Sequence, residues 1–114
     1  MNTTLTASAA VAAAALLVTA CGSSPDEALA ERWSMLDTYC TDCHNDGEYA
    51  GELSLEGVTP AEVAANPETW EQVVRRLRGK VMPPPGASHP AAEQVEAFVA
   101  SLEASLDAAA ESRA

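Results

Sequence analysis

The fold of this chain is decided by the run Cys40-Thr41-Asp42-Cys43-His44, which has the form Cys-x-x-Cys-His. Two thiols three residues apart lie on one side of a single turn, so both can form thioether bonds to the vinyl groups of one haem. The histidine that follows is placed to ligate the iron as the proximal ligand. The run therefore predicts one covalent haem c, held by Cys40, Cys43 and His44.

A Cys-x-x-Cys pair without the histidine would also suit a dithiol redox protein or half of a zinc site. Cys40, Cys43 and His44 would supply three zinc ligands, and the fourth would have to come from Cys21 or His89. Cys43 and His44 are adjacent on one turn and form a poor tetrahedral pair. A zinc or dithiol protein is therefore the least favoured alternative.

Composition bounds the remaining possibilities. A chain of 114 residues favours one domain, and a formal charge of -11 argues against binding to nucleic acid. The chain contains only 2 Trp, 2 Tyr and 1 Phe, so its own core is thin. A covalently held haem would supply the missing apolar bulk.

The N-terminal segment has the pattern of an export signal. Residues 1–20 carry no charged side chain, and the apolar stretch 11–20 is too short to span a membrane comfortably but suits a signal-peptide core. The run Val18-Thr19-Ala20-Cys21 resembles the bacterial lipoprotein signal, in which the cysteine is lipidated. An ordinary secretory signal with an unmodified Cys21 is the alternative.

This pattern divides the chain into three parts. We expect a lipoprotein signal peptide at 1–20, a lipidated Cys21 with a flexible tether at 21–25, and a cytochrome domain at 26–114. The assignment accounts for all three cysteines, because two bind haem and one carries lipid. It predicts an exported protein, anchored to a membrane and facing the periplasm or the cell exterior, where bacteria attach haem c.

Hydrophobic periodicity and capping signals predict an all-α fold with about four helices. The predicted helices span residues 25–40, 60–65, 66–79 and 90–110. Proline opens each of the four at or near its first turn. Four of the six basic residues fall between Arg75 and Lys80, where they complement a helix C-terminus or face haem propionates or an acidic partner.

The segment Val81-Met82-Pro83-Pro84-Pro85-Gly86 predicts the second iron ligand. Consecutive prolines hold the chain extended and exclude helix, so the Met82 thioether lies at the start of a stiff loop. We expect Met82 to be the distal ligand. His89 is the rival, but it precedes Pro90 and has the pattern of a surface residue at a helix entry. Met35 is interpreted as core filler.

Together these features resemble a small class I cytochrome c. The match narrows to the planctomycete-type cytochrome c domain through the runs 39–44, 51–55, 70–78 and 82–86, and it covers roughly residues 36–102. The resemblance implies about four helices around one covalent haem, with His44 and Met82 as axial ligands. Many class I cytochromes place a proline shortly after the histidine, and the carbonyl of this proline holds the imidazole N–H. No proline lies between His44 and Thr59, so another carbonyl is expected to serve.

The favoured function is one-electron transfer without enzyme activity, between redox partners and at a membrane surface reached through the N-terminal lipid. The acidic chain predicts that a partner presents a basic docking face. A haem sensor or peroxidase-like protein is the alternative, and it requires an open sixth site. That alternative holds only if Met82 does not ligate the iron.

Overall fold

The computed structural model describes residues 22–114, so the predicted signal peptide and Cys21 lie outside the described residues. Four α-helical segments occur there: α1 (Pro25–Glu31), α2 (Ser34–Tyr39), α3 (Pro67–Arg78) and α4 (Ala92–Arg113). Two 3-10 turns, Ala50–Glu52 and Pro60–Glu62, lie between α2 and α3. The described part of the chain has no strand, which confirms the all-α prediction.

The predicted helix 25–40 is interrupted, and this is a correction. Its first half begins as expected: the Ser24 side chain accepts a hydrogen bond from the Glu27 N–H, and the Glu27 carboxylate accepts one from the Ser24 N–H. The helix then breaks at Arg32 and Trp33. At the break, the Trp33 indole N–H donates to the Val58 carbonyl at 3.0 Å.

The predicted helix 60–65 is also corrected, because only the single 3-10 turn Pro60–Glu62 forms there. Pro67 prevents any helix from continuing past residue 65, since a residue before proline is pushed away from helical geometry. Asn66 accordingly has φ -130° and ψ 56°. The fold thus has three main helical stretches, α1 with α2, α3 and α4, and the predicted arrangement of four helices around a haem is not confirmed.

The core forms where α4 packs against both α1 and α3. Trp33 lies between two other rings, with its centroid 5.3 Å from that of Trp70 and 6.2 Å from that of Phe98. These tilted contacts and the burial of Trp70 confirm a core role for both tryptophans. Met35 is buried as well, which agrees with its interpretation as filler. The other fully buried side chains are Leu29, Leu36, Val63, Val99 and Leu102.

Helix α4 lies antiparallel to the N-terminal stretch. The Ser105 hydroxyl donates to the Asp26 carboxylate at the start of α1, whereas Glu93 and Ala97 border a groove with Met35 of α2. The Cys-x-x-Cys-His turn, which follows α2, therefore lies towards the beginning of α4. None of the described helices is long and apolar enough to cross a membrane.

Candidate functional site

The Cys-x-x-Cys-His run forms a helical turn directly after α2. The His44 N–H donates to the Cys40 carbonyl at 3.0 Å, and the Cys43 N–H donates to the same carbonyl at 3.3 Å. The Asn45 amide donates to the Thr41 carbonyl at 2.8 Å and extends the turn. Because the residues have helical spacing, Cys40 and Cys43 share one side of the turn and His44 follows directly.

The two thiols are free but differ in their surroundings. Cys40 is partly buried against the core, whereas Cys43 is exposed. Burial, with a smaller contribution from the Asp37 carboxylate, raises the pKa of the Cys40 thiol to about 11. Cys40 therefore stays a neutral thiol at physiological pH, and its sulfur lies at the edge of the apolar interior.

The orientation of the His44 ring is fixed by a main-chain acceptor. Its Nδ1 lies 2.8 Å from the Ala50 carbonyl oxygen. A carbonyl only accepts hydrogen bonds, so Nδ1 carries the proton, and in the neutral imidazole Nε2 then has the free lone pair. This is the tautomer that a metal-ligating histidine needs when its other nitrogen is held by a second hydrogen bond. The expected carbonyl partner of His44 is thus Ala50.

The Ala50 carbonyl is presented by a loop with unusual backbone angles. Tyr49, Gly51 and Glu52 have φ values of 45°, 63° and 60°, all in the left-handed region. Two hydrogen bonds tie the loop to the turn: the Ala50 N–H donates to the Cys43 carbonyl at 3.1 Å, and the Leu55 N–H donates to the His44 carbonyl at 2.8 Å. The strained segment is therefore held against the Cys-x-x-Cys-His turn.

Met82 lies on a separate segment, the proline-rich loop between α3 and α4. It is 38 % exposed although it is apolar, and the preceding Val81 is 48 % exposed. Among the described residues, no hydrogen bond joins this loop to the Cys40–His44 turn. His89 is exposed, and its Nε2 lies 3.2 Å from the Pro84 carbonyl. The Nε2 atom of His89, the alternative iron ligand, is therefore within hydrogen-bond distance of a main-chain carbonyl.

The donor set fits a c-type haem better than a zinc ion. Within residues 22–114, no group of three or more His, Cys, Asp and Glu residues is arranged to hold a metal ion. The motif instead offers two free thiols and one imidazole with a single available nitrogen, and the Met82 loop offers a soft thioether. In a c-type haem, thiols bond to the vinyl groups, and an imidazole and a thioether ligate the iron, so this donor set matches haem chemistry.

Sequence reasoning predicts Cys40, Cys43, His44 and Met82 as site residues but does not name Ala50. The functional group of Ala50 is its carbonyl, which every residue type possesses, so no side-chain pattern marks it. Gly51 is the one available signal, because glycine is the residue that most readily adopts a positive φ. Its neighbours Tyr49 and Glu52 adopt the same region without that advantage.

Comparison with known proteins agrees with the site. The family model described as Planctomycete cytochrome C matches residues 40–86, from the first motif cysteine to the glycine after the proline loop. Neither the curated proteins nor the solved structures give a significant match. The matched family binds haem and transfers electrons. The resemblance predicted from the sequence is therefore confirmed at residues 40–86, which match a planctomycete-type cytochrome c domain.

Proposed function

We propose that this protein is a one-electron carrier with a single haem c attached covalently through Cys40 and Cys43. The observation that carries the proposal is the His44 ring, whose Nδ1 donates to the Ala50 carbonyl directly after two free thiols on the same turn. A haem bound there supplies an iron that alternates between the ferric and ferrous states.

The residues of the chain set the properties of that iron. The Ala50 carbonyl makes the His44 Nε2 a stronger base, which favours the ferric state. The Met82 thioether is a soft sixth ligand and raises the reduction potential. If His44 and Met82 both hold the iron, no site would remain on it for a substrate, so we propose no enzyme activity.

The proposal extends to location and partners. Cys21 carries lipid after removal of residues 1–20 and anchors the domain to a membrane, facing the periplasm or the cell exterior. The support for this part is the N-terminal sequence pattern. With 17 acidic and 6 basic residues, the chain suits a redox partner that presents a basic docking face.

Replacement of Met82 by alanine tests the axial ligation. The matched control is Met35→Ala, which removes the same side chain from the core. In protein matured by a host that attaches haem c, the M82A variant should lose the weak far-red band of ferric Met-ligated haem, and its reduction potential should fall. The M35A variant should be less stable but keep the band.

Carbon monoxide distinguishes the proposed carrier from a sensor. The reduced native protein should bind carbon monoxide poorly, and the M82A variant should bind it readily, because only the variant has an open sixth site. Ready binding by the native protein would contradict Met82 ligation and favour the haem-sensor alternative. A band that survives in M82A but disappears in His89→Ala would assign the sixth position to His89.

A further inference from the structure

The basic residues at the end of α3 do not all have the same role. Arg78 turns towards α4, where its guanidinium pairs with Glu103 at 2.9 Å and with Glu96 at 3.3 Å. A second guanidinium N–H of Arg78 donates to the other Glu103 carboxylate oxygen at 3.0 Å, so the contact is bidentate. Arg78 is therefore a link between two helices.

The other three basic residues of this segment, Arg75, Arg76 and Lys80, form no ion pair within residues 22–114. All three are exposed, and the ion pairs found there involve Arg78 alone. Glu71 lies one helical turn before Arg75, but no ion pair joins them. These three residues are half of the basic residues in a chain of charge -11. They form a local positive region on an otherwise acidic protein.

Two of these cations border a groove. It has a volume of about 380 Å³ and is lined by Gln72, Arg75, Arg76, Gly79 and Val81. We call these five residues the cationic groove. The Val81 N–H donates to the Arg76 carbonyl at 3.1 Å, which fixes the start of the Met82 loop against the end of α3. The exposed apolar side chain of Val81 therefore lines the groove together with the two arginines, and Met82 follows it in the chain.

We propose that the cationic groove docks a carboxylate-rich surface of a second redox partner. The inference rests on the proposed function. The acidic chain as a whole is expected to meet a basic partner, and the cationic groove adds a positive site for an acidic partner. Planar guanidinium groups suit carboxylates, and Val81 adds an exposed apolar side chain to the contact surface. An anionic membrane is the poorer occupant, because an extended negative surface repels the acidic remainder of the chain, whereas a carboxylate-rich patch can face the groove alone.

Met82, the proposed iron ligand, follows Val81 of the groove in the chain, so a docked acidic partner would lie near the segment proposed to hold the iron. A reduced flavoprotein would be one such partner: its flavin would give up one electron, and a haem held by Cys40, Cys43 and His44 would accept it as its iron passes from ferric to ferrous. An electron carrier must meet a donor and an acceptor. Two surfaces of opposite charge allow it to distinguish them by electrostatics alone.

Reduced flavodoxin, an acidic flavoprotein, is the probe for this site. Its rate of electron transfer to the ferric holoprotein should be measured for Arg75→Gln/Arg76→Gln and for the control Arg32→Gln/Arg113→Gln. Both double variants remove two positive charges, so the net charge is the same. At low ionic strength the groove variant should react about tenfold more slowly than the native protein, and the control should change little. The difference should disappear at high salt.

Equal slowing in both double variants would overturn the proposal, because net charge would then explain the effect. A shift in the haem spectrum or potential of the groove variant, with no change in the salt dependence, would also overturn it and would assign Arg75 and Arg76 to haem propionates. Loss of binding to anionic vesicles, with flavodoxin rates unchanged, would assign the groove to lipid. A native protein without any c-type spectrum would instead remove the proposed function itself.

Discussion

At the scale of single residues, the His44 ring is oriented by a main-chain carbonyl, a group that every residue type carries. The Ala50 carbonyl reaches His44 Nδ1 because residues 49–52 adopt left-handed angles. A hydrogen bond from the ligand imidazole raises its basicity and stabilises the ferric state. The loop is therefore expected to set the reduction potential without touching the iron.

Gly51→Ala tests this link. Gly51 has φ +63°, a conformation that costs an alanine about 1 kcal/mol, and the added Cβ would lie 3.9 Å from His44 Cε1, an ordinary contact. The strain should loosen the Ala50 carbonyl, weaken its hydrogen bond and raise the reduction potential. A redox titration of the matured variant measures the change.

Gly57→Ala is the control for that experiment. Gly57 has φ +70° and nothing within 4 Å of the added Cβ, so the backbone strain is similar but distant from His44. Its potential should match that of the native protein. If both variants shifted equally, or if neither did, the potential would not depend on the Ala50 carbonyl.

At the scale of elements, the N-terminal cap of α1 is a local device with a measurable effect. Ser24→Ala removes the acceptor of the Glu27 N–H and should lower the free energy of unfolding by about 1 kcal/mol. Ser23→Ala, one residue earlier and outside the cap, should have little effect. Urea unfolding of the matured protein measures both. Equal stabilities for the two variants would mean that the cap adds nothing to the folded state.

The centre of α4 should be far more sensitive. Leu102 is fully buried at the place where α4 packs against its neighbours, so Leu102→Ala should cost about 2–5 kcal/mol. Ala100, two residues earlier and exposed, gives the comparison: Ala100→Ser should change stability only slightly. A loss below about 1 kcal/mol for Leu102→Ala would place the core elsewhere.

The elements show where sequence reasoning succeeds and where it stops. The bounds of α3 were predictable, because Pro67 opens the helix and Gly79 ends it. The break at Trp33 was not, because neither proline nor glycine marks it. That break coincides with a hydrogen bond to Val58, 25 residues away, and long-range contacts leave no local signal. The Cys-x-x-Cys-His motif could be recognised from the sequence, because all of its chemical groups lie within five consecutive residues.

At the scale of the whole molecule, charge governs association. A protein of charge -11 should exchange electrons faster with a lysine-rich mitochondrial cytochrome c at low salt than at high salt. Between about 0.01 M and 1 M ionic strength, the screening length falls from about 30 Å to about 3 Å. Stopped-flow rates over this range should decrease steeply. Rates that do not respond to salt would contradict electrostatic docking of a basic partner.

Mass spectrometry of the matured protein under denaturing conditions tests the central claim most directly. The native polypeptide should carry the added mass of one haem, and a Cys40→Ala/Cys43→Ala variant should carry none. The native sample should also show a c-type spectrum on reduction. A native polypeptide without haem, colourless and containing one zinc ion per chain, would contradict the account and establish the zinc alternative.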